Sequence, residues 1–354
     1  MSNDIRDEIF INYYMASRIM RKTHKPDILH QIYAAKYANW VVPFLNRHGI
    51  KNAPLLLCCN TLYQLPDFFA LRKHSFFVSD YYLHSYFYDF NYVFSDSKRE
   101  EFSINLLIKT FIELAYLTGN IDLSYSLAQT SPDIEAYKGT DDYKNYDTMA
   151  FLVDKTDLQE SFTFLHEATH YLCRSESDQL TDKINCVMSK FVDINILGLR
   201  PEILEECYCD YNSVTFILES TYNLSRLPKS EYFEVLFLPL IYTYTLQFAR
   251  AAQSITVDKY SSYINQEMEL LWIRFGGMHS YILRYLQMSG AESDIVALNT
   301  AYQKCTETFK DLGYKIRTIF KYIKNEGDRN LHLFDGVSRE QKIVFIKSYL
   351  KLLY

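Results

Sequence analysis

The chain has 354 residues, 48% of them apolar and 23% charged, which describes an ordinary globular protein and excludes a disordered one. A net charge of −6 excludes the basic footprint of a broad nucleic-acid binder. Ten glycines and eight prolines are few for this length and favour long helices over loop-rich β architecture.

Residues 4–22 and 27–47 read as helices, the second interrupted near Pro43. The apolar runs 53–59 and 75–79 and the aromatic run 85–94 suit buried strands. Ser97 with Glu100 forms a capping box that opens a helix to about residue 118. The polar segment 131–147 is expected to be an exposed loop or linker. Residues 148–154, "TMAFLVD", read as a strand, and overlapping capping boxes at Thr156 and Asp157 start a helix near 158. Beyond 178 the pattern is helical over 178–197, 201–224, 231–254, 258–288, 292–325 and 338–353, with Gly276-Gly277 interrupting the fourth of these. The expected fold is therefore α+β and helix-dominated. A small mixed sheet packs on the helix that starts near 158, and a large all-helical part follows. Four regions are expected: 1–130, 131–147, 148–225 and 226–354.

The longest apolar run, Val235–Leu246, spans about 12 residues and contains Pro239, too short to cross a bilayer. The acidic, amphipathic N-terminus is not expected to act as a signal peptide, and seven cysteines show no framework spacing. A cytoplasmic protein with reduced, buried thiols and no membrane partner is expected. Abundant tyrosine and phenylalanine, 31 and 24, are read as compositional bias rather than a stacking platform. Lys310, Arg317, Lys321 and Lys324 share a helix face, which is read as solvated, and no nucleic-acid partner is expected.

The helix after 158 carries His166-Glu167-Ala168-Thr169-His170. Two histidines one turn apart lean toward the same point, as zinc binding on a helix requires. The intervening glutamate projects to the side and can serve the attacking water as general base. By composition the pattern arises by chance about once in a hundred such chains, so it calls for a partner element. That element is "PEILEECYCDYNSVTFILE", where Pro201 suits a first helical turn. Glu206 and Asp210, one turn apart, share a face kept small by Cys209 and Ser213. Glu206 can be a third ligand and Asp210 the carboxylate that orients a histidine ring. Glu202, one turn earlier on the same stripe, is an alternative ligand, and Glu205 is expected to point off that face.

H-E-x-x-H followed by a helical E-x-x-[small]-D resembles the gluzincin group of zinc metallopeptidases over residues 148–218. That resemblance implies one zinc ion held by His166, His170 and Glu206, with Glu167 as base and Asp210 bracing His166. It also implies that 148–154 forms the strand along which an extended peptide lies. Such enzymes stabilise the oxyanion with a downstream His or Tyr, for which His279 is the first candidate, ahead of Tyr281 and Tyr211. The expected function is a zinc-dependent endopeptidase acting on a protein or peptide. The competing readings are a metal-binding recognition module without activity and a zinc hydrolase that does not cleave peptides.

Overall fold

The computed structural model describes residues 19–21, 28–61, 66–71, 74–80, 83–95, 108–109, 111–113, 115–116, 119–130, 146–175, 180–190, 201–254, 257–330 and 336–351. The fold is α+β and dominated by helices. The chain divides into two compact units, each assembled from separated stretches. The first comprises residues 1–87, 154–240 and 268–305, and the second 88–153, 241–267 and 306–354.

The first unit contains a four-stranded sheet in the order β1-β2-β4-β3. Its strands are β1 (Ile19–Arg21), β2 (Leu55–Thr61), β3 (Asp67–Leu71) and β4 (His74–Asp80). β2 and β4 run parallel with Leu55 opposite Phe76, whereas β3 lies antiparallel to β4 on the outer edge. Strand β4 is buried at every position from Phe76 to Asp80, so its sequence reads as an apolar run, as strands covered on both faces do. One of those faces meets the long helix that carries the histidines: Phe77 packs on Phe164 at 5.0 Å between ring centroids.

Helix α1 (Ile28–Lys36) continues through a π turn at Tyr37–Val41 into α2 (Val42–Arg47). The π turn answers Pro43, which has no N–H to donate and crowds the carbonyl four residues back. Widening the turn lets the Val42 N–H bond to the Tyr37 carbonyl instead.

Several expectations fail here. Residues 85–94 are not a strand but part of helix α3 (Leu83–Ser95). The buried positions Leu83, Tyr86, Phe87, Phe90 and Asn91 recur at helical spacing, so the aromatic content misled where the period did not. Residues 148–154 are not a strand either, because helix α5 runs unbroken over Tyr146–Ser175, and the Thr156 expected as a cap is interior and fully buried. Ile19–Arg21, expected to be helical, is the short strand β1. The capping box at Ser97 and all but the last two residues of 131–147 lie outside the described residues.

Helix α4 (Ile121–Thr130) belongs to the second unit, and α6 (Leu180–Met188) and α7 (Pro201–Thr221) to the first. Thereafter come α8 (Lys229–Ser254), α9 (Val257–Ser289), α10 (Ile295–Asn330) and α11 (Arg339–Lys351). α9 is not interrupted at Gly276-Gly277: the flanking Leu271, Phe275, Met278 and Ile282 are wholly buried and hold it helical. In α8 the run Tyr232–Leu238 is core of the first unit. The second unit is tied by α4 and α11, with Lys342 on Asp122 at 2.8 Å and Tyr125 against Phe345. Among the described residues no helix is long and apolar enough to cross a membrane.

Candidate metal centre

His166 and His170 lie on α5, with Phe162, Leu165 and Leu172 burying the adjoining face. Their rings are 4.9 Å apart and inclined at 75°. Helix α7 supplies the opposite wall. Cys209 and Ser213, both completely buried, are small enough for the two helices to approach closely.

Glu206 stands between the two imidazoles. Its Oε2 is 3.3 Å from His166 Nε2, and its Oε1 is 3.3 Å from His170 Nε2. Each ring is held from behind by a second carboxylate. His170 Nδ1 meets Glu205 Oε1 at 2.9 Å, and His166 Nδ1 meets Asp210 Oδ1 at 3.0 Å. The Asp210 contact lies off the line of a full hydrogen bond. Carboxylates behind both Nδ1 atoms keep a proton there, so a metal that displaced a proton from Nε2 would meet the lone pair of each ring on the side of Glu206.

Glu205 therefore does the opposite of what its position implied. Adjacent helical residues diverge by about 100°, which suggested that Glu205 faces away from Glu206 and Asp210. The long glutamate side chain spans that angle and reaches the second histidine. Glu202, the alternative ligand, is exposed.

Arg274, on α9, completes the arrangement and was not singled out from sequence. It donates from Nε to Asp210 Oδ2 and from Nη2 to Asp210 Oδ1, both at 2.7 Å. Its Nη1 reaches Glu206 Oε2 at 2.9 Å. Arg274 and Asp210 are both buried. The signal available in the sequence was an arginine in phase with Leu271, Phe275 and Met278, on a face that is otherwise core.

Charge follows from this geometry. Burial opposes ionisation of Glu206, but Arg274 and the two histidines outweigh it and hold its carboxyl well below the usual range. Burial pushes the Glu167 carboxyl above the usual range, with the two histidines opposing and Asp67 and Glu206 reinforcing the rise. Burial also opposes a charge on His170, yet its bonds to Glu205 and Glu206 raise its pKa well above that of a free imidazole.

The expected site residues thus fall into two sets. His166, Glu167, His170, Glu206 and Asp210 come together, joined by Glu205 and Arg274. His279 is engaged elsewhere: its Nε2 pairs with Asn299 at 2.9 Å and its ring lies 4.6 Å from Tyr302. Of the two tyrosine alternatives, Tyr281 is buried with its hydroxyl on Met188, and Tyr211 packs edge-on against it at 5.2 Å.

His166, His170 and Glu206 are the groups that could hold a metal, with Glu206 offering a different oxygen to each ring. Ligand bonds of about 2.0–2.1 Å at tetrahedral angles place neighbouring donors about 3.3 Å apart, the separation found here on both sides of Glu206. Cys209 Sγ also lies within 4.8 Å of a nitrogen of each ring. Its thiol is wholly buried, and burial and the neighbouring Cys173 raise its pKa well above the usual value, whereas Glu206 is already ionised. An ionised carboxylate is the readier donor, so Glu206 is the stronger candidate for a third ligand. Residues 148–154 line no substrate edge, being helical. The strand beside the motif is β3, where Phe68 stacks on Tyr171 at 5.0 Å and the Phe68 carbonyl accepts from Arg174 at 3.1 Å. No protein-family model matches this chain, and no curated protein or solved structure matches it.

Proposed function

We propose that this chain is a zinc-dependent peptidase acting on a protein or peptide. The observation that carries the reading is the pair of 3.3 Å separations from Glu206 to the two Nε2 atoms, with a carboxylate behind each ring. A zinc ion held by His166, His170 and Glu206 would supply Lewis acidity to a scissile carbonyl and acidify a water molecule. Glu167 takes the proton of the attacking water and returns it to the departing amine. Its raised pKa suits that exchange, because a base whose conjugate acid is not too strong can also give the proton back. Arg274 and Asp210 keep Glu206 and His166 in place. The outer edge of β3 offers an extended substrate main-chain groups with which to pair, beside Glu167. The mostly buried cysteines among the described residues fit a reducing compartment such as the cytoplasm.

The test is Glu167→Gln. Purified protein is expected to contain stoichiometric zinc in wild type and variant alike. Cleavage of a cell-lysate proteome, read from new N-termini, should fall by about 10²–10⁴-fold in the variant. Wild-type protein without zinc, or a variant of full activity, overturns the proposal.

A further inference from the structure

Two turns before His166, helix α5 carries a second set of ligand-type side chains. Asp157 and Glu160 are three residues apart and share a face. His84, from the first turn of α3, approaches them: its Nδ1 lies 3.0 Å from Glu160 Oε2 and 3.9 Å from Asp157 Oδ1. One donor atom from each of the three fits within a 4.8 Å group. The set is graded in exposure, with the Glu160 side chain 0% exposed, His84 32% and Asp157 48%, so an ion could enter from the Asp157 side.

Two observations separate this group from a surface acidic cluster. Glu160 Oε1 is buried without a hydrogen-bond partner in the described structure, and an ionised oxygen in that position is costly. Moreover, a cation already occupies the group. Lys36, at the end of α1, places Nζ 2.7 Å from Asp157 Oδ1 and in contact with Glu160 Oε2. One ammonium and one imidazole thus face two carboxylates.

We propose that His84, Asp157 and Glu160 form a second divalent-cation site, for which Lys36 is the built-in competitor. One imidazole and two carboxylates are a donor set for first-row divalent ions such as Mn²⁺ or Zn²⁺. The ammonium and the ion compete, since Lys36 already holds Asp157 Oδ1 and Glu160 Oε2 and two cations on the same carboxylates repel. Lysine suits this role, being a point charge on a flexible four-carbon stem that can swing aside. Ion binding then loosens the tether between α1 and the motif helix, so the two helices are coupled to the local concentration of the ion.

Full-length protein stripped with a chelator and titrated with Zn²⁺ and Mn²⁺ tests this. Two ions per chain are expected for wild type, and one for His84→Ala and for Glu160→Gln. Lys36→Met should bind the second ion at least ten-fold more tightly than wild type, seen also as a larger rise in melting temperature on adding Mn²⁺. Glu206→Ala should lose the other ion and keep this one, so failure of the two sites can be told apart. His84 is partly exposed, and its removal should leave the fold intact even if Glu160→Gln does not fold. Equal stoichiometry in wild type and His84→Ala, or no gain of affinity in Lys36→Met, overturns the proposal.

Discussion

Replacing Arg274 by methionine tests whether the charges behind the metal centre form one interdependent unit. The substitution keeps most of the apolar stem and removes three donors. Two of these serve Asp210, whose side chain is 1% exposed, and the third serves Glu206. Asp210 is then left as a buried carboxylate facing only His166 Nδ1 at 3.0 Å. Breaking a buried ion pair from one side costs about 3–5 kcal/mol, because the stranded charge cannot regain water. In a unit of this size that corresponds to a melting temperature lower by about 10 °C. The assay is urea unfolding of metal-free protein followed by circular dichroism, so that ligand binding does not enter. Arg274→Met/Asp210→Asn should recover at least half of the loss, since the second change removes the stranded charge; a double-mutant cycle isolates that coupling. A loss below about 1 kcal/mol in Arg274→Met, or no recovery in the double variant, would show that Asp210 is solvated in solution and would refute the reasoning.

Metal-free protein should lose stability as pH rises above neutrality. The His170 imidazolium, favoured by its bonds to Glu205 and Glu206, has a folded pKa above the unfolded value of about 6.5. Its stabilisation is complete below that unfolded value and lost as pH climbs through the folded one. The urea midpoint should therefore decline as pH rises above about 6.5, less steeply in Glu205→Gln; a flat profile in wild type contradicts this. The two glycines of α9 should respond differently to alanine. A Cβ at Gly276 meets nothing within 4 Å, so Gly276→Ala should gain about 0.5–1 kcal/mol of helix stability. At Gly277 the Cβ would stand 3.0 Å from the buried Tyr281 hydroxyl, and Gly277→Ala should be the less stable of the pair by thermal melting.

The motif helix and its partner were legible because both signals are local. His166 and His170 are one turn apart, as are Glu206 and Asp210, and helical geometry turns each spacing into a shared face. Strands β2 and β4 were legible from the two short apolar runs 53–59 and 75–79, but their parallel pairing was not, because nothing in either run specifies direction. Strand β3 was not, because "DFFAL" is too short to show alternation and acquires its role from its place beside α5. Arg274 lies 64 residues from Asp210, and no spacing rule reaches across two helices. Glu205 was misjudged because helical angles locate Cβ atoms, whereas a glutamate carboxylate ends several bonds farther out. His279 drew notice as a histidine beside two glycines, but its neighbours Asn299 and Tyr302 belong to another helix.

The π turn at Tyr37–Val41 holds one residue more than an α-helical turn would, and so it works as slack in the rod formed by α1 and α2. The wider turn takes up the extra residue without turning its two flanks out of phase: Tyr33 and Lys36 ahead of it keep the side on which Glu160 lies, and Phe44 and Leu45 behind it stay in the core. A one-residue deletion in an unbroken α-helix would rotate everything ahead of it by about 100°. The same deletion inside this turn should let the rod close as plain α-helix with Lys36 still on its carboxylates, so the chain tolerates a change of length here that it would not tolerate one turn away.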